Sequence, residues 1–385
     1  MASSLDPDEP EVRVRVDLGP RSYEVRVVSG GTDGFGAFAS AALDATWAGR
    51  TCRRALSITD ENVAPLGRPF VAALDALGIT TTLAVVPSGE PSKSLDRAAD
   101  LYDDLVRLRA DRHTLIVALG GGVVGDLAGF VAATYARGLP LLMVPTSLLA
   151  MVDSSVGGKV GVNHPRAKNI IGAFHQPIGV WIDTEMLATL PPREYRCGLA
   201  EVVKHGVIFD AAFFDYLGAN AAAILDGAPG PLRQIIAHSC RLKAEAVARD
   251  EREEHGLRAK LNLGHTIAHA VESVSGYGPR FHHGEAVAIG MIAECRLAER
   301  LGWIPPELTA RLTNLIERFG LPTAASGLDP DALLEAMARD KKNQKNRIRF
   351  VLPHGIGQVA LTDAPTAGEI RDVLVAMTRS RIGHH

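Results

Sequence analysis

Cysteine is scarce in this chain. Its 385 residues hold four, Cys52, Cys197, Cys240 and Cys295, widely scattered and with no Cys-x-x-Cys pair. A disulfide framework is therefore not expected, and free thiols in a reduced cytoplasm fit the pattern. Charge of one sign is lacking too. A formal net charge of −3 gives no general attraction to nucleic acid or to an anionic membrane, so neither is an expected partner. Long apolar runs are missing, because Asp126, Pro140, Pro145 and Asp153 interrupt the strongest candidates for a membrane span. Residues Met1 to Pro10 are acidic and polar, with nothing resembling the apolar core of a signal peptide, and read as a disordered tail. No internal repeat occurs. What remains is the profile of an ordinary soluble enzyme, with 46% hydrophobic and 22% charged residues, and long enough that two domains are expected.

Along the chain, residues 12–16 (VRVRV) and 23–28 (YEVRVV) alternate apolar and polar around Gly19-Pro20, which predicts a strand pair with one buried face. Up to about residue 180, the apolar runs ALSIT, TTLAVV, TLIVAL, LLMVP and VWID read as buried parallel strands. Helical spacing over 93–109 and 123–136 separates some of them. This alternation predicts an α/β domain with a doubly wound, Rossmann-like sheet over 11–190. Beyond Leu190-Pro191-Pro192 the period becomes helical at 195–208, 210–225, 229–249, 261–274, 284–301, 306–319 and 330–339. Strand character returns only in RIRFVLP at 347–353. A mostly α-helical second domain is expected over 191–385.

Residues 115–126, LIVALGGGVVGD, run a strand into Gly120, Gly121, Gly122 and Gly125 at the start of a helix. Glycines let backbone approach a pyrophosphate, and the free N–H groups of a helix start favour the anion. A tight turn without a ligand explains the same residues. No acidic residue follows at the usual distance, so Asp60 in SITDENV is the candidate for a ribose contact, with a helix N-cap as the competing reading.

In the second half, LNLGHTIAHAVE sets His265 and His269 one helical turn apart, and PRFHHGEAVA adds His282 and His283. With Glu201 in CGLAEVVKHG, imidazoles and a carboxylate form a donor set for a catalytic divalent metal. Spacing alone favours both His265 and His269 as ligands. Cations stand in glycine-rich or apolar surroundings at Arg137, Lys159, Lys168, Lys204, Lys243 and Arg258, and at Lys341 and Lys342 beside Asp340. Each alone reads as surface charge; together they imply a pocket for a small molecule bearing phosphate and carboxylate.

At this point the chain resembles a known family. GGGVVGDLAGFVAATYARG, PTSLLAMVDSSVGGKVGVNHPRAKNIIGAFHQP, GLAEVVKHG, DEREEHGLRAKLNLGHTIAHAVE, HGEAVAIGM and DKK…RIRFVLP occur in order and resemble 3-dehydroquinate synthase, over roughly residues 12–360. The resemblance implies a nucleotide-binding α/β domain followed by an α-helical metal-binding domain, commonly as a homodimer. It implies Glu201, His265 and His283 as ligands of Zn²⁺ or Co²⁺, and moves His269 to the substrate's phosphate. NAD⁺ contacts map onto Asp60, Asn62, Glu90, Lys93, Gly121 and Gly122. They continue through Asp126, Thr146, Ser147, Lys159 and Lys168. Substrate and catalytic positions map onto Arg137, Asp153, Lys159, Asn169 and Lys204, and onto Lys243, Arg258, Asn262, His269 and Lys341. Departures are mild: Ser147 stands where threonine is usual, Ala268 where glycine is usual, and Asn343-Gln344-Lys345-Asn346 replaces a more glycine-rich turn. The implied reaction takes 3-deoxy-D-arabino-heptulosonate 7-phosphate to 3-dehydroquinate and phosphate. Another sugar phosphate cyclase, of the amino-dehydroquinate type, and a metal-dependent polyol dehydrogenase are the alternatives.

Overall fold

In the computed structural model the structure describes residues 11–46, 51–339 and 348–379. The tail over 1–10 and the candidate Lys341, with its neighbours Lys342 to Asn346, lie outside the described residues. The chain forms two compact units. The first comprises residues up to Pro191 together with Leu232–Arg252, and the second Pro192–Pro231 with the remainder from Glu253. The sequence pattern places Leu232–Arg252 in the second domain; here that segment belongs to the first unit.

The first unit is built on a seven-stranded sheet. Its strands are β1 (Glu11–Val16), β2 (Tyr23–Val28), β3 (Arg54–Asp60), β4 (Thr80–Val86), β5 (Leu115–Gly120), β6 (Leu141–Pro145) and, after a separate hairpin of β7 (Lys159–His164) and β8 (Ala167–Phe174), β9 (Gly179–Asp183). The order across the sheet is β1-β2-β9-β6-β5-β3-β4, and every pairing is parallel except β1 with β2. Burial explains the residue choice. Strand β1 buries alternate residues, Val12, Val14 and Val16, whereas β5, β6 and β9 are buried throughout, as parallel strands covered on both faces must be. Helices α1 (Phe35–Thr46), α2 (Arg68–Asp75), α3 (Leu95–Arg107) and α4 (Gly122–Thr134) supply the cover. Phe35, Phe38, Phe70 and Trp181 meet in one core cluster, with ring centroids of Phe35 and Phe70 4.9 Å apart, edge to face.

The strand order fixes where a ligand can sit. From β3 the chain moves outward to β4 and then crosses to β5 on the other side of β3. The carboxyl ends of β3 and β5 therefore flank the topological switch point, where open α/β sheets bind ligands. Asp60 ends β3 and Gly120 ends β5, with Thr59 paired to Leu119 in register.

The second unit is mostly helical. It contains α5 (Pro192–Phe209), α6 (Ala211–Ala219), α7 (Ala221–Leu225) and the first residues of α8 (Pro229–Arg249). After Glu253 follow α9 (His265–Val274), α10 (His283–Arg300), α11 (Pro306–Arg318), α12 (Pro330–Ala338), a hairpin of β10 (Phe350–Gly355) and β11 (Gln358–Thr362), and α13 (Ala367–Thr378). Among the described residues no helix is long and apolar enough to cross a membrane.

Candidate active site

Two groups of candidate residues form, one in each unit. In the first, Gly121 begins α4 with extended backbone and no side-chain cap, so the first-turn N–H groups of that helix remain available to an anion. Space is tightest at Gly120 and narrow, though not closed, at Gly121 and Gly122. A Cβ on Gly120 would lie 2.7 Å from the Val124 side chain, one on Gly121 3.3 Å from Ser147 Oγ, and one on Gly122 3.2 Å from Ser154 Oγ. Thr146 follows β6 and donates its N–H to the Gly120 carbonyl at 3.0 Å, which places Ser147 over the turn. Asp60 is not the N-cap of the helical turn that follows, which is Val63; its Oδ1 accepts the Asn62 and Val63 N–H groups at 2.9 and 3.2 Å, and Oδ2 makes no hydrogen bond among the described residues.

Around this edge a polar network assembles. Buried Lys93 bonds through Nζ to Asp126 Oδ2 and to Asn169 Oδ1. Glu90 accepts from Asn163 Nδ2 at 2.8 Å and has Lys168 Nζ 3.8 Å away. Asn169 itself lies at φ 53°, and its N–H donates to Asn163 Oδ1 at 2.9 Å. Lys159 opens β7 and is exposed. Arg137 sits in a strained turn, where Ala136 and Arg137 both adopt positive φ (48° and 68°), a conformation that costs of order 1–3 kcal/mol per residue and clusters at functional sites. Asp153 lies in a single π-helical turn, Ala150–Ser154, and pairs with Lys243 of α8 at 2.5 Å from Oδ1. Lys243 Nζ also bonds to the Asp153 carbonyl. This partly buried pair helps tie Leu232–Arg252 to the first unit.

The second unit brings together Glu201, His265 and His283, whose ligand atoms all lie within 4.8 Å of one another. Nε2 of His265 and Nε2 of His283 are each 3.7 Å from Glu201 Oε1. Glu201 is fully buried on α5, and neither carboxylate oxygen makes a hydrogen bond among the described residues, although Lys204 Nζ stands beside Oε2. A buried carboxylate is costly without positive charge beside it; Lys204 supplies that at Oε2, while Oε1 faces the two imidazoles. His265 Nδ1 lies 3.1 Å from the Leu263 carbonyl, which sets the tautomer with a free lone pair on Nε2. Burial, then the charge of Lys204, holds the His265 pKa well below its usual value, so this imidazole is neutral and ready to ligate. Burial also acts to lower that of His283, but the Glu272 hydrogen bond and the charges of Glu272 and Glu201 outweigh it and raise the pKa. Two imidazoles facing Oε1 of a buried carboxylate fit a divalent cation, which would displace any proton on His283.

Glycine again makes the convergence possible. A Cβ on Gly284 would fall 2.1 Å from the Cys197 carbonyl of α5, and one on Gly290 2.0 Å from the Gly264 carbonyl that precedes α9. Helix α10 can therefore approach α5 and the start of α9 closely enough to unite donors from all three.

Helical spacing alone favours His265 with His269; the geometry instead sets His283 beside Glu201 and leaves His269 out of that group. The His269 ring faces His265 edge-on at 5.7 Å. His282 caps α10 and pairs with Glu194 at 2.8 Å. Those two and Cys197 also cluster, but burial pushes the Cys197 thiol up to about 12, which disfavours the thiolate a metal needs. Arg258 is buried, 3.8 Å from Glu253, and Asn262 Nδ2 donates to the Ala259 carbonyl at 3.0 Å. Sequence reasoning missed Glu272, whose Oε1 lies 3.5 Å from His283 Nδ1. The signal was present, because Glu272 recurs at helical spacing after His265 and His269.

The family model for the 3-dehydroquinate synthase N-terminal region matches residues 83–197, and that for the C-terminal region matches residues 198–343. The chain belongs to the 3-dehydroquinate synthase family. The 3-dehydroquinate synthase of Symbiobacterium thermophilum is 50% identical over 368 residues, covering 94% of this chain and 100% of that one. Among solved structures, the 2-epi-5-epi-valiolone synthase of Streptomyces hygroscopicus subsp. jinggangensis, with NAD⁺ and Zn²⁺ bound, aligns with a TM-score of 0.82 at 29% identity, over 92% of this chain and 96% of that one. A 2-deoxy-scyllo-inosose synthase complexed with carbaglucose-6-phosphate, NAD⁺ and Co²⁺ aligns with a TM-score of 0.81 at 25% identity, over 94% and 99%. For a 3-dehydroquinate synthase family member, the glycine turn at the switch point and the buried donor triad are the two features to explain.

Proposed function

We propose that this chain is a 3-dehydroquinate synthase that uses NAD⁺ and a divalent metal, Zn²⁺ or Co²⁺, to convert 3-deoxy-D-arabino-heptulosonate 7-phosphate to 3-dehydroquinate and phosphate. The observation that carries the reading is the buried Glu201–His265–His283 triad, in a chain that aligns almost end to end with a 3-dehydroquinate synthase.

Glu201, His265 and His283 hold the metal, and the uncapped start of α4 with Gly121 and Gly122 holds the pyrophosphate of NAD⁺. Asp60, through its unused Oδ2, and Asn62 serve the nucleotide's ribose end. Glu90, Lys93, Asp126, Thr146, Ser147 and Lys168 complete the nucleotide's surroundings. When bound, the two cofactors supply a hydride acceptor and a Lewis acid for vicinal hydroxyls. Lys159, Asn169, Asn262 and His269 bind the substrate's phosphate through charge-assisted hydrogen bonds. Lys243 and Arg258 neutralise the carboxylate end. Arg137, Asp153, Lys204 and Lys341 complete the substrate's polar surroundings. Phosphate leaves while carbon 5 of the substrate is a ketone, and the ring opens and recloses by an aldol step after carbon 5 is an alcohol again.

A homodimer in the cytoplasm fits the same reading. Strand β8 pairs only with β7 among the described residues and exposes Ile170 and Phe174, which gives a second copy an edge and an apolar patch. Incubating metal-loaded protein with the heptulosonate phosphate and NAD⁺ should release phosphate and the carbocycle in equal amounts. Turnover of sedoheptulose 7-phosphate or of the amino analogue instead would assign the chain to another sugar phosphate cyclase.

A further inference from the structure

Helix α9 begins without a cap of its own. Its N-cap is Gly264, at φ 81° and with no side chain to accept the first-turn N–H groups, yet its first helical residue is His265. A frayed first turn would let that imidazole drift, because helix starts leave several N–H groups without intrahelical partners. The acceptor comes from another helix. Glu294 of α10 is fully buried, and its Oε2 accepts the Gly264 N–H at 2.6 Å. The Thr266 N–H acts on the same carboxyl.

The placement on α10 is systematic. His283, Gly290 and Glu294 recur at spacings of seven and four residues, so they share one helix face. Gly290 admits the Gly264 carbonyl, Glu294 takes the Gly264 N–H, and His283 contributes a donor to the triad. One helix thus carries one imidazole and grips the turn that presents the other. Apolar packing would not need a carboxyl here. Burial alone pushes the Glu294 carboxyl well above the usual range against the two amides, and Oε1 makes no hydrogen bond among the described residues. A leucine would fill the site without that penalty.

We infer that Glu294 is a positioning residue: by capping α9 from α10 it fixes His265 relative to His283 and so sets the metal affinity of the triad. The inference rests on the reading of Glu201, His265 and His283 as metal ligands. Outer groups that orient a ligand typically affect metal affinity by about 10–100-fold.

The test is chelator-competition titration of Co²⁺ and Zn²⁺ into the full-length protein, with the Co²⁺ absorption spectrum as a second readout and cooperative thermal unfolding as proof of folding. Glu294→Leu, close in volume and lacking the acceptor, should weaken Co²⁺ binding by at least about tenfold and alter its spectrum, while Glu294→Gln, which keeps an oxygen for the Gly264 N–H, should stay within about threefold of the parent. A folded Glu294→Leu variant with parental affinity and spectrum would overturn the inference. So would a folded Glu294→Gln variant that binds about tenfold more weakly, and this arm decides the matter if the leucine variant does not fold. Failure of the parent protein to bind metal, or unchanged binding in His265→Ala, would instead overturn the triad reading.

Discussion

A carboxylate buried as fully as Glu201 needs positive charge beside it; Lys204 meets Oε2, and Oε1, which faces His265 and His283, is where a divalent metal would add more. That requirement makes the residue-scale predictions asymmetric between neighbouring histidines. His283→Ala removes a donor 3.7 Å from Glu201 Oε1 and should leave purified protein free of metal by elemental analysis. His269→Ala, one turn beyond His265 and outside the triad, should retain metal and lose turnover. The reverse pattern would return the site to the local-spacing pair of His265 and His269. Glu272→Ala removes the partner of His283 Nδ1 and should weaken metal binding by about 10–100-fold in the same chelator competition, with Glu272→Gln less affected. The cations are tested differently. A charge-assisted contact is worth about 1.5–3 kcal/mol, and about 1.4 kcal/mol is a factor of ten. Lys159→Ala and Arg258→Ala should therefore lower kcat/KM at least about tenfold. Parental kinetics would show that these side chains do not touch substrate.

Among the elements, close approach at glycine decides the site. Gly290→Ala would set a Cβ 2.0 Å from the Gly264 carbonyl, a backbone atom that cannot swing away. Overpacking of this kind costs about 1–3 kcal/mol or more, and should appear as a lowered Tm with weakened metal binding. Gly218→Ala in α6 is the control. Nothing lies within 4 Å of its would-be Cβ, so helix propensity alone acts and stability should hold or rise by up to about 1 kcal/mol. Equal losses in both variants would show that glycine content, and not the α9–α10 contact, matters. The elements differ in how far the sequence reveals them. Periodicity over 229–249 predicts α8, observed as Pro229–Arg249, and the apolar run TLIVAL predicts β5, observed one residue later as Leu115–Gly120. The helix expected over 210–225 is broken at Asn220, which ends α6 and precedes α7. The β7–β8 hairpin goes unread, because glycines and polar residues interrupt its alternation. Gly172 is there for a cross-strand reason, its would-be Cβ falling 2.4 Å from the Val160 carbonyl. The site was legible as a set of residue types, but choosing His283 over His269 needs α10 folded against α5 and α9. Local spacing carries no such information, and the resemblance to the family supplied it.

Over the whole molecule, the glycine turn belongs to one compact unit and the donor triad to the other. The chemistry makes a sharp demand on cofactor use. A carbonyl stabilises an adjacent carbanion and an alcohol does not, so phosphate can be eliminated only while carbon 5 is a ketone. Substrate and product nevertheless have carbon 5 at the same oxidation level. The hydride removed from carbon 5 must therefore return to it before the ring opens, and the nucleotide must stay bound in the interval. Catalytic amounts of NAD⁺ should support many turnovers, with phosphate released in step with substrate loss and no growth of absorbance from NADH. Deuterium placed at carbon 5 should be recovered at carbon 5 of the product. A polyol dehydrogenase working through the same turn and triad would consume one NAD⁺ per substrate and pass the label to free nicotinamide. Steady accumulation of NADH with the label in it would reject the synthase reading in favour of that enzyme.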